Sequence, residues 1–65
     1  MVDADLDTVR RAFAGLTGLF EDAAFIALEG QGVGSLDGGR RSSRRLTLVM
    51  LRICKRLVIL EGYLQ

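Results

Sequence analysis

The stretch RRLTLVMLRICKRLVILEGYL, residues 44 to 64, decides the fold. At helical spacing Leu46, Met50, Ile53, Leu57, Leu60 and Leu64 step by alternating fours and threes, which is a heptad-like seam. Leu51, Cys54 and Val58 make a second apolar row beside it, while Arg45, Arg52, Lys55 and Arg56 gather on the far side with Leu48, Ile59 and Tyr63. More than half of the helix circumference is then apolar. A single partner helix covers only a narrow stripe, so this segment requires more than one neighbour.

The first neighbour lies at the other end of the chain. Val2, Leu6, Val9, Phe13, Leu16, Phe20, Ala23 and Ala27 alternate the same spacings, with Ala12, Leu19 and Ile26 widening the seam on one flank. Asp3 or Asp5 can cap the start of this helix, and Asp3, Asp5 and Asp7 suit the positive end of its dipole. Asp7 and Arg11 are spaced for an i,i+4 pair, and Gly30 supplies a left-handed stop. Gly15 and Gly18 interrupt the helix on its polar side, where each costs roughly 0.8–1.0 kcal/mol relative to alanine. Such a pair is either tolerated or marks a place where another backbone comes close. Phe25 is a large aromatic on the same polar side, expected either beneath the following loop or as an exposed anchor for a partner.

Between the seams, GQGVGSLDGGRR (residues 30 to 41) carries five glycines and no apolar period, so it is expected as a long flexible connector. It lacks the Gly-Lys-Ser/Thr ending of a phosphate loop and follows a helix rather than a strand, which argues against nucleotide binding. RRSSRR follows at residues 40 to 45. Ser42 or Ser43 is the expected cap of the second helix, and Arg-Arg-Ser-Ser is also a weak match to a phosphorylation acceptor. Four arginines at a helix start oppose the dipole, so solubility, acidic residues of the first helix or a phosphate-bearing ligand must favour them.

These elements make one all-α domain over residues 1 to 65, an antiparallel two-helix hairpin with helices at about 4–29 and 43–64. Charge supports the orientation. Residues 1 to 37 hold seven acids against two bases, and residues 38 to 65 hold seven bases against one acid. With facing positions summing to about 71, Arg10 and Arg11 approach Glu61, Glu21 and Asp22 approach Arg52, and Glu29 approaches Arg44 or Arg45. Each such exposed pair contributes only about 0–1 kcal/mol, enough to select an orientation but not to hold the fold.

A domain of 65 residues buries only about 60% of the surface its unfolded chain exposes and needs reinforcement. With one cysteine and no histidine, neither an internal disulfide nor a conventional zinc set is expected, and no cofactor is implied. Assembly remains. The expectation is a homodimer forming a four-helix bundle, closed or helix-swapped, through Leu46, Met50, Leu51, Ile53, Cys54, Leu57 and Val58.

Catalysis is not expected, because there is no histidine and Cys54, read as a small buried hydrophobe, has no base in its seam. The expected function is protein–protein interaction, a small regulator or adaptor binding a larger partner protein through Phe25, Arg40, Arg41, Arg44, Arg45, Arg52 and Arg56. The alternative is nucleic-acid binding by the Arg40 to Arg56 basic patch, against which stand the net charge of +1 and the few aromatics. The acidic start is unlike a secretory signal, and Arg52, Lys55 and Arg56 interrupt the apolar helix, so no membrane span and a cytoplasmic location are expected.

Overall fold

A computed structural model describes residues 5 to 65. Two helices are packed along their length: α1, Leu6–Gln31, and α2, Leu36–Leu64. The chain is all-helical over these residues, and its Cα atoms span 51 × 15 × 10 Å. Val2 of the first seam and Asp3, one of the two cap candidates, lie outside the described residues.

Asp5 caps α1. Its carboxylate accepts the Thr8 backbone N–H at 2.7 Å, and that bond holds the Asp5 carboxyl below its ordinary value of 3.8. Asp7 stands in the first turn and bonds Arg11 at 2.8 Å, the i,i+4 pair expected from the spacing. At the other end Gly30 is helical, not a left-handed stop. The helix runs to Gln31 and closes at Gly32 (φ −100°), whose N–H bonds the Glu29 carbonyl at 3.0 Å.

The connector is much shorter than residues 30 to 41, because Ser35 starts α2 well before Ser42 or Ser43. Its hydroxyl accepts the Gly38 N–H at 3.1 Å, and Asp37 supplies the first-turn acid that the dipole favours. Gly38 and Gly39 are therefore helical despite their poor propensity. They leave room for Val33, and a Cβ at Gly38 would stand 3.3 Å from both Val33 and the Ser35 hydroxyl. The arginines at 40 to 45 consequently lie inside α2, beyond its first turn, so the conflict with the dipole does not arise. Arg40 reaches back to Asp37 at 2.7 Å.

The core lies on a different line from the two seams. Leu16, Ala23 and Ile26 of α1 meet Val49, Ile53 and Leu60 of α2, with Val9, Ala12, Leu19 and Leu46 packed around them. Ile53 is the centre, 1% exposed. Val9, Leu16 and Ala23 thus keep their expected places, but their companions are Ala12, Leu19 and Ile26, not Leu6, Phe13 and Phe20, which are exposed. On α2, Val49 replaces Met50 and Leu57. Alanine rows bring the axes close, whereas two phenylalanines in the contact line would hold them apart. The α2 position in line with Val49, one heptad on, is Arg56. Its guanidinium comes within 3.2 Å of where a Gly15 Cβ would stand, so Gly15 marks a close approach by a side chain. Gly18 has nothing within 4 Å of such an atom.

The register follows from three contacts, Gly30 beside Ser42, Gly15 beside Arg56, and Glu29 bonded to Arg45 at 3.2 Å. Each pair sums to within a few of the expected 71. Of the three expected levels of interhelical charge pairing, the Glu29 level alone is an ion pair among the described residues. Arg11 pairs with Asp7 instead, and neither Arg10, Arg52 nor Glu61 has an ionic partner there.

Replacing Ser35 by alanine is expected to lower unfolding stability by about 1 kcal/mol, while Gly18→Ala should raise it by about 0.8–1 kcal/mol, both read from urea or thermal melts. Because the folded pKa of Asp5 is depressed, its stabilisation is complete above pH 3.8 and lost as pH falls through the folded value. Acidification should therefore fray the first turn of α1 in amide exchange, and Asp5→Asn, which caps without titrating, should make that turn less sensitive to acid.

Candidate interaction surfaces

A helix pair in contact along one line has two broad faces. In α1 the position four residues after each of Val9 and Leu16 is Phe13 or Phe20, and Leu6 continues this row toward the N-terminus. In α2 the same offset from Leu46, Ile53 and Leu60 gives Met50, Leu57 and Leu64. Antiparallel packing places these two rows side by side. The resulting front face carries Leu6, Phe13, Phe20, Met50, Leu57 and Leu64, all exposed, with Phe13 and Phe20 at 52% and 51%. It occupies the half of the hairpin away from the turn; toward the turn the same rows continue as Ala27 and Ser43.

The back face is where Glu29 and Arg45 meet, and it is mixed. From α1 it takes Gly15, Asp22 and Glu29, with Phe25 at its margin; from α2 it takes Arg45, Arg52 and Ile59, with Arg41, Leu48 and Lys55 at its margin. Phe25 is 61% exposed and the connector does not cover it, so it is not folded beneath the following loop. A shallow groove on this side is lined by Leu19, Arg52, Lys55, Arg56 and Ile59, and a second by Thr8, Arg11, Ala12, Arg56, Ile59 and Tyr63. The outer surface of α2 is a third exposed region, an apolar strip of Leu48, Leu51, Cys54, Val58 and Ile59 with Arg52 and Lys55 beside it.

The residues expected at a dimer interface separate into two groups. Ile53 is buried inside the hairpin and Leu46 packs against its core, so these two serve the single chain. Met50, Leu51, Cys54, Leu57 and Val58 are exposed and form a contiguous arc on α2. Cys54, expected to be buried, is exposed in the single chain because it stands on the edge of the front face, outside the contact line. Among the residues expected to bind a partner, Phe25, Arg41, Arg45, Arg52 and Arg56 share the back side of the hairpin. Arg40 and Arg44 project elsewhere, lining a shallow groove with Leu36, Gly39 and Ser43. Arg45 is held by Glu29 and Arg40 by Asp37.

Leu6, Phe13, Phe20, Met50, Leu57 and Leu64 are the front-face residues that heptad spacing places in the seams. The signal that places them outside is Arg56. It interrupts the row Val49, Arg56 on α2, and Gly15 in α1 is what makes that row usable. Among the described residues no helix is long and apolar enough to cross a membrane. Comparison of the chain with protein-family models, with curated proteins and with solved structures gives no match.

Proposed function

We propose that this chain is a small helical protein–protein interaction module, a regulator or adaptor that works as a homodimer and has no catalytic role of its own. The observation that carries this reading is the front face. Six large apolar side chains, contributed equally by both helices, stand exposed in one unbroken band. Single exposed hydrophobics are ordinary, but a continuous band of this length marks an association surface. A second copy on that face gives a four-helix bundle, in which the same surface patch serves both subunits.

The back face then points away from the mate and is free for another protein. Phe25 is a suitable anchor, because aromatic side chains and arginines supply most of the binding energy in interfaces of this kind. Arg41, Arg52 and Arg56 beside it favour a partner that presents carboxylates. Nucleic acid is the weaker alternative for this face. Asp22 and Glu29 lie on it, and Glu29 already neutralises Arg45, which reduces the positive potential a phosphate backbone needs.

Sedimentation of the purified chain should give a dimer that dissociates on dilution, with helicity falling as it does so. A folded monomer at every concentration would sink the reading. Phe25→Ala should leave dimerisation and helicity unchanged while weakening retention of the partner captured from the native host. Salt-dependent retention on nucleic acid, abolished in an Arg52→Ala/Arg56→Ala variant, would transfer the back face to the nucleic-acid alternative.

A further inference from the structure

The front face is bordered by two edges whose chemistry is complementary. Beyond Leu6, Phe13 and Phe20 on α1 come Arg10, Thr17 and Ala24; beyond Met50, Leu57 and Leu64 on α2 come Thr47, Cys54 and Glu61. In the observed register Arg10 is level with Glu61, Thr17 with Cys54, and Ala24 with Thr47. Within one chain these pairs stand on opposite edges of the face and cannot meet. Arg10 and Glu61 are exposed and without an ionic partner among the described residues.

We propose that the second copy docks on this face by a twofold rotation about the long axis of the hairpin, which lays α1 of each chain antiparallel against α2 of the other and joins Arg10 to Glu61 of the partner subunit. The proposal rests on the homodimer reading and specifies its geometry. A rotation about the long axis exchanges the two edges while keeping every residue at its level. Arginine therefore meets glutamate twice per dimer, and small residues meet small ones between.

Two further observations fit this contact. The Thr17 hydroxyl bonds the Phe13 carbonyl of its own helix at 3.1 Å, and the Thr47 hydroxyl bonds the Ser43 carbonyl at 2.9 Å. Both edge threonines are thus satisfied internally and offer an aliphatic surface to a neighbour.

The competing twofold, which crosses the helices at right angles, lays α1 on α1 and α2 on α2. With the two apolar bands centred on each other, Arg10 then comes level with Thr17 of the partner subunit and Glu61 with Cys54 of the partner subunit, so neither meets an opposite charge; Glu21 and Arg40, which share those edges, stand nearer the turn, and Arg40 is already held by Asp37. It would also bring Cys54 toward the same edge of its copy, whereas rotation about the long axis places the two Cys54 residues on diagonal helices.

Cross-linking and charge exchange test the orientation on the full chain. Under mild oxidation Thr17→Cys should give a covalent dimer through Cys54 of the partner subunit, and the unsubstituted chain should give none. Arg10→Glu and Glu61→Arg should each weaken the dimer about tenfold, since two exposed pairs become repulsive, and the double variant should recover the original affinity. Efficient cross-linking of the unsubstituted chain through Cys54, or a double variant as weak as the single ones, would overturn the orientation while leaving the dimer in place. Sedimentation as a folded monomer would instead remove the homodimer reading itself.

Discussion

Two helices share one line of contact, and everything else in this protein follows from how little that line can bury. Ridges of one helix enter the grooves of the other along two rows of side chains each, and the remaining circumference faces outward. In α1 this covers Val9, Ala12, Leu16, Leu19, Ala23 and Ile26 and leaves Leu6, Phe13, Phe20, Phe25 and Leu28 exposed. In α2 it leaves still more uncovered, because that helix is apolar on its inner line, on the front face and on its outer surface. Among the described residues the buried set has six members, of which Ala23 contributes little surface and Ile53 the most complete enclosure. A core of this size is at the lower limit of what stabilises an independent domain.

The choice of which rows to bury was only partly legible in the sequence. Both helices, their antiparallel pairing and a register near the observed one follow from heptad spacing and from the opposite charge of the two halves. The direction of the contact line does not. Counting apolar residues selects Phe13, Phe20, Met50 and Leu57, because a count rewards size and uniformity. Packing rewards close approach, so the rows containing Ala12 and Ala23 hold the contact and a lone arginine is admitted opposite Gly15. The misplacement is about one position around each helix. Averaging the inner line and the front face gives the seam that the count selects, which is the direction in which a bundle of four would place its axis.

The connector was misread for a different reason. Five glycines and a serine pair weigh against helix by propensity, and propensity is summed residue by residue. One capping bond from Ser35, an acid at Asp37 and the Arg40 pair with it offset that penalty locally, and Gly38 and Gly39 also leave space that the turn uses for Val33. The dipole conflict assigned to the arginines arose entirely from placing the helix start too late. As for the proposed association surface, Met50, Leu51, Cys54, Leu57 and Val58 were readable as surplus apolar residues, whereas the membership of Phe13 and Phe20 became visible only with the contact line.

The brevity of the turn has a kinetic meaning. Residues 32 to 35 reverse the chain with the Gly32 bond to Glu29 on one side and the Ser35 cap on the other, and Val33 lies against the helix start at Gly38. A chain that lent α2 to a neighbour would have to straighten this segment, uncap a helix and uncover Ile53 before any new contact repaid the cost. In the proposed homodimer the two hairpins would therefore join without exchanging helices, in a bimolecular and reversible step. The extent of that step would be set by the concentration of the protein in its surroundings, so a small domain with a thin core would have its stability tied to its own abundance.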